Sequence, residues 1–283
     1  MATSDTPGPL AVSIEIGVGD VRVIASDRAD TRVEVRPSDP ARSADVAAAK
    51  ATVVDCAGGT LSIRAPRRRL WYTLAGPGRE SIDLEVSLPS GSSLRAEVGF
   101  GAIRCAGALG ECDLKTGAGD ILVEDVGALL ARTGIGDITA KGSQGRVDAK
   151  TGTGAVRVGN VLGPAIIRNS NGGTWLGEVS GDIDVRAANG RISVERAAAS
   201  VSARSACGDV LLGEVASGTV AVSTSWGRVD VGVRPGVAAW LDLKTGAGKL
   251  LNELDSGGPP TAEEGTVRLV ARTTAGDITV RRA

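Results

Sequence analysis

The sequence predicts an all-β chain wound as a parallel β-solenoid, with about 18 residues per coil, two facing sheets and an N-terminal β-rich cap. Three observations carry that expectation. First, a glycine returns at Gly101, Gly119, Gly136, Gly154, Gly172, Gly190, Gly208 and Gly227, in steps of 17 to 19 residues. A second series, Gly110, Gly127, Gly145, Gly163, Gly181, Gly218 and Gly236, runs about nine residues out of phase, with Ala199 in one slot. Second, apolar and polar residues alternate between the glycines, the mark of a strand with one buried face. Third, 42% of the residues are apolar but only 2% aromatic, so the core must be thin and aliphatic.

Taken in order, residues 1–9 read as a flexible tail, and 10–90 as the N-terminal cap with the first coils. Alternation is clear in VSIEIGVGDVRV, TRVEV and TLSIRA; the alanine-rich stretch 40–50 between them favours a short helix. Residues 65–80 carry a charge run and several glycine or proline breakers, and read as a loop. Residues 91–283 form the regular solenoid, ending in an irregular coil with a loop at 252–264. Alignment on the first glycine series places Ile103/Cys105, Ile121/Val123, Val156/Val158, Ile192/Val194 and Val229/Val231 inward on one wall. Cys112/Leu114, Leu129/Ala131, Val147/Ala149, Ile183/Val185 and Val220/Val222 line the other. Glycine is expected at both corners because each needs a positive φ, and Asn171 and Asn189 suit the same left-handed region. An open end must hide its sheet edge, which predicts an irregular last coil.

Composition excludes several functions. The net charge is −1, with 32 basic and 33 acidic residues interspersed, so no global field draws the chain to nucleic acid or membrane. Histidine is absent, which removes the usual general base near neutral pH and the commonest transition-metal ligand. Cys105 and Cys112 fall in core slots and read as small hydrophobes, and no disulfide framework is expected from them with Cys56 and Cys207. No apolar run is long enough for a membrane span, and the N-terminus has no secretory pattern, so a cytoplasmic location is expected.

KTGAGDI, ARTGIGDI, GEVSGDIDVRAANGRISV and ARTTAGDITV resemble the bacterial β-strand-repeat "putative adhesin" family, a domain family of unknown function. The stretches NSNGGTW and AANG are similar to actinobacterial members. The resemblance covers most of the chain and implies a β-solenoid with no known catalytic residues.

Two constellations are candidate sites. Five residues after each glycine of the second series stands a base: Lys115, Arg132, Lys150, Arg168, Arg186 and Arg204. Stacked at about 4.8 Å these form a ladder roughly 24 Å long. Asp113, Asp148, Asp184 and Asp242 stand two residues before bases and offset part of the repulsion. The ladder is either a track for a polyanion or a solvated face that blocks edge aggregation. Candidate contacts with a protein partner are Trp175, on an outward slot, and the loop residues Arg67, Arg68, Arg69, Trp71 and Tyr72.

The Gly-Asp pairs at Asp20, Asp120, Asp137, Asp182, Asp209 and Asp277 resemble calcium β-roll repeats, but the stacked slot also holds Arg191 and Arg228. Corner hydrogen bonds are therefore expected rather than calcium, and no cofactor or metal is expected. Glu124/Asp125 lie at a corner without a groove, so no enzyme is expected. The reading is a non-catalytic interaction or scaffold solenoid that docks a protein or self-associates. The alternative is an adhesin-like, polyanion- or surface-binding module using the ladder.

Overall fold

The computed structural model describes residues 2–66, 80–254 and 265–283. The chain divides into two compact units, Met1–Lys141 and Gly142–Ala283. Among the described residues there are 25 strands and one helix. Both units are stacks of ranks, each rank being two short strands on opposite walls of a thin aliphatic core.

In the first unit the strands are β1 (Ala2–Asp5), β2 (Ala11–Val18), β3 (Val21–Ser26) and β4 (Asp30–Pro37). Helix α1 (Ser43–Ala51) follows, then β5 (Val53–Ala57), β6 (Thr60–Arg64), β7 (Ile82–Pro89), β8 (Ser93–Phe100), β9 (Ile103–Ala118) and β10 (Ile121–Ile135). The tail expected at residues 1–9 is partly a strand, since β1 pairs antiparallel with β4. The stacking order departs from chain order. β2 lies between β6 and β8, and β3 lies between β7 and β9, all in parallel. The first coil is therefore held inside the stack, with the later coil β6/β7 outside it. Antiparallel strands then cover that outer rank, β5 on β6 and β4 on β7. Asp45, fully buried at the start of α1, accepts the Ser81 (3.1 Å) and Asp39 (3.2 Å) N–H groups and faces Arg42 at 3.6 Å. That network fastens the helix to the segment entering β7.

The chain passes through β11 (Ile138–Ser143) into the second unit. There β12 (Val147–Thr153), β14 (Ala165–Asn171), β16 (Ile183–Asn189), β18 (Val201–Cys207) and β20 (Gly218–Trp226) form one wall. The other holds β13 (Val156–Val161), β15 (Thr174–Val179), β17 (Ile192–Ala197), β19 (Val210–Val215) and β21 (Val229–Val233). Two further ranks are β22 (Ala238–Ala247) with β23 (Leu250–Asn252), and β24 (Thr266–Ala275) with β25 (Ile278–Arg282). The last coil inserts one rank early: β24 sits between β20 and β22, and β25 between β21 and β23. The last coil is thus stacked out of chain order.

The corners explain the T-G-x-G-D-I motif. Glycines of the first series hold φ between +127° and +150°, and a Cβ on Gly172 would stand 2.0 Å from the Gly154 carbonyl oxygen. The same glycine carbonyls accept threonine hydroxyls from inside: Thr116 to Gly101 (3.0 Å), Thr133 to Gly119 (3.0 Å), Thr224 to Gly208 (3.0 Å) and Thr273 to Gly227 (3.1 Å). Each buried hydroxyl thereby satisfies a corner carbonyl that the ladder leaves open.

Two sequence expectations need correction. Gly110, Gly127, Gly163 and Gly181 have no positive φ; they are small because backbone passes too close, at 2.6 Å from a Cβ on Gly163 to the Gly145 carbonyl carbon. No non-glycine residue has positive φ among the described residues, so Asn171 and Asn189 do not use the left-handed region. They form an amide ladder instead, the Asn189 Nδ2 donating to Asn171 Oδ1 at 2.8 Å.

Candidate functional site

Strand alternation sets which side chains leave the core, and parallel register brings equivalent positions into columns. In the first unit Arg64, Glu15, Glu97, Lys115 and Arg132 are aligned on successive strands, so acids interrupt the bases there. In the second unit Lys150, Arg168, Arg186 and Arg204 are aligned. The out-of-order ranks extend this column through Ser223, Arg272 and Lys244. Sequence spacing had left Lys244 and Arg272 irregular; their signals were KTGAG at 244–248, as at 115–119, and ARTTAGDI at 271–278, like ARTGIGDI at 131–138. The column crosses seven strands, about 29 Å.

Acids neutralise half of it. Arg168 meets Asp148 (3.7 Å), Arg186 meets Asp184 (3.2 Å) and Arg272 meets Asp242 (2.9 Å). Lys150, Arg204 and Lys244 have no ion-pair partner among the described residues, and all three are exposed. Beside the bases runs a lane of small outward residues, including Gly152, Ser170, Ala188, Ala206, Ser225 and Gly246. Ser205, Ser223, Ser225, Lys244, Gly246 and Arg272 line a shallow trough of about 380 Å³ at this end of the column.

The Gly-Asp carboxylates are engaged at corners. Asp20 accepts the Ala102 N–H (2.9 Å), Asp120 the Asp137 N–H (2.8 Å), Asp209 the Arg228 N–H (3.0 Å) and Asp277 the Lys249 N–H (2.8 Å). Partial burial pulls the Asp20 carboxyl up, but the Ala102 N–H and the Arg104 guanidinium at 2.7 Å bring it net below the usual carboxylate range. Glu124 is held low by Lys141 at 2.7 Å and by the Gly107 N–H at 2.8 Å. Cys105 and Cys112 lie in the core, where burial pushes the Cys105 thiol up and the Cys112 thiol to about 12.

Trp175 is 38% exposed, between Arg157 and Ser193 in the register. Arg67, Arg68, Arg69, Trp71 and Tyr72 lie outside the described residues, as does 255–264 of the expected C-terminal loop.

Sequence reasoning missed the surface at rank β22/β23. Leu241, Leu243 and Leu250 align with Leu269, Ala271 and Ile278, all fully buried. Yet Leu241 and Leu243 are only half-buried and Leu250 is 49% exposed. The cause is position: among the described residues no strand pairs with the far side of β22 or β23. Trp240, also on β22, is 55% exposed, with the Arg268 guanidinium 4.7 Å from its ring centroid.

No described helix is long and apolar enough to cross a membrane. No curated protein matches the chain. Among solved structures it is similar to a "putative lipid binding protein" from Parabacteroides distasonis, at 12% identity and TM-score 0.36, covering 100% of this chain and 95% of that one. A "putative adhesin" from Bacteroides fragilis matches at 11% identity and TM-score 0.29, covering 99% and 96%. A "putative cell adhesion protein" from Clostridium sporogenes matches at 10% identity and TM-score 0.20, covering 100% and 98%. The model of the family described as Toastrack DUF4097 matches residues 11–281, nearly the whole chain. With its glycine-cornered parallel ranks, this chain belongs to the Toastrack DUF4097 family.

Proposed function

We propose that this chain is a non-catalytic interaction module that docks a partner by extending the sheets at rank β22/β23. The carrying observation is that Leu241, Leu243 and Leu250 occupy core columns but stay half-buried or exposed. Covering them removes apolar area from water, at about 25 cal/mol per Å². An unpaired edge adds main-chain hydrogen bonds to that gain. Hydrogen exchange on the dilute chain tests this. Core-facing β22 amides, at Ala239, Leu241 and Leu243, should exchange far faster than those of Leu269 and Ala271 on β24. Equal protection on the two strands would mean that the edge is already covered, and the docking reading would fall.

A second reading, capture of a polyanion, is supported by the extended base column with its three unpaired cations. Heparin serves as probe. Binding should weaken steeply with salt, and each base replaced among Lys150, Arg204 and Lys244 should lower the log–log salt slope by about 1. Binding that ignores salt, or no binding at low salt, would leave the column a solvated face.

A further inference from the structure

We infer that the occupant of the β22 edge is a second copy of this chain, joined about a two-fold axis through Leu243 so that β22 pairs antiparallel with its mate. This rests on the docking reading above and names the partner.

Backbone polarity comes first. The Ala238 N–H donates to the Gly265 carbonyl at 3.0 Å, so the outward-facing residues of β22 turn their main-chain groups toward β24. N–H and C=O directions alternate along a strand, so core-facing Ala239, Leu241 and Leu243 turn theirs to the open side. A residue placed on a two-fold axis between antiparallel strands pairs with itself. Leu243 can do so as a hydrogen-bonded pair, because both of its main-chain groups point outward to the edge. Its flanking neighbours then pair crosswise, Asp242 with Lys244 of the second copy and Lys244 with Asp242, as non-hydrogen-bonded pairs with the closer side-chain approach. Trp240 falls opposite Gly246, where there is room for the ring, and Leu241 falls opposite Thr245.

Charge makes this register self-complementary. Opposite charges face each other twice, and the axis produces both contacts from one pair of residues. Lys244 is exposed and has no ion-pair partner among the described residues, while Asp242 already orients toward Arg272 at 2.9 Å. A slip by two residues would place Trp240 against Lys244 or Asp242 against Gly246 and lose both ion pairs. A parallel addition would need an open rank of the opposite polarity. In the first unit the outer rank β6/β7 is covered by antiparallel β5 and β4.

The test uses the full chain and two charge reversals, Asp242→Lys and Lys244→Asp, with light scattering on each protein alone and on an equimolar mixture. Wild type should be dimeric at micromolar concentration. Each reversal places like charges opposite each other at two points and should weaken dimerisation at least tenfold. The mixture should recover a dimer, because both lysines of the first variant then face aspartates of the second. Reversals that dimerise as well as wild type, or a mixture that stays monomeric while wild type dimerises, would overturn the two-fold register. A monomeric wild type overturns the second copy as occupant. Hydrogen exchange then separates the two ideas: fast β22 edge amides leave the docking reading standing with another partner, and protected ones remove both.

Discussion

At the residue scale, burial divides the four cysteines. Cys105 and Cys112 are buried thiols with raised pKa, whereas Cys207 is exposed and Cys56 half-buried. A thiol reagent should therefore modify Cys207 readily and Cys105 and Cys112 only after unfolding, with mass spectrometry reading the order. Fast native labelling of Cys112 would contradict its burial. The carboxylates of Asp20 and Glu124 have native pKa values below their unfolded values. The stability they contribute is thus complete above about pH 5 and is lost as pH falls through the native values. Asp20→Asn should flatten the acid limb of a urea-midpoint profile. An unchanged limb would place the acid sensitivity in other groups.

At the element scale, a corner is one device made of three residues. Glycine takes a positive φ and lets the next rank approach, a threonine hydroxyl satisfies its carbonyl, and an aspartate binds a neighbouring N–H. Gly172→Ala combines strained backbone with a clash against a carbonyl that cannot retreat, so a loss of about 3 kcal/mol or more is expected by denaturant unfolding. Gly58→Ala is the control. Gly58 also has a positive φ (+57°) but has open space around its Cβ, and about 1 kcal/mol is expected. Similar costs at the two positions would show that conformation alone, and not the rank above, demands the glycine.

At the scale of the whole molecule, the period of the glycines made the parallel stack legible, and the alternation between them identified the core residues. Chain order, by contrast, is invisible to periodicity. Every rank has nearly the same pattern, so nothing in TVRLVARTTAGDITV says that it belongs between two earlier coils. For the same reason the column through Arg272 and Lys244 and the exposed edge of β22 could not be read from spacing. The corner aspartates were legible as hydrogen-bond acceptors from their place after the glycine, but their N–H partners, one rank away, were not. The second glycine series was misjudged because close approach likewise depends on a neighbouring rank. The out-of-order stack makes its own prediction. The Ala238 N–H already touches the Gly265 carbonyl, so deleting 238–264 and joining Val237 to Gly265 should leave β24 and β25 seated on β20 and β21. That variant should unfold cooperatively. Truncation after residue 264 should instead leave β22 and β23 without their neighbours, with loss of their slow-exchanging amides. If the truncated chain kept those amides protected, β22 and β23 would have to seat directly on β20 and β21.

The inserted last coil also has a consequence for biosynthesis. A stack laid down in chain order could close rank by rank as it left the ribosome, but here the place beside β20 and β21 must wait for β24 and β25. Until Thr266–Arg282 emerge, the inner faces of two ranks stand open to solvent. Completion of this unit is therefore delayed until that segment is made, and a chain that stops before it carries an apolar gap that quality-control machinery can recognise.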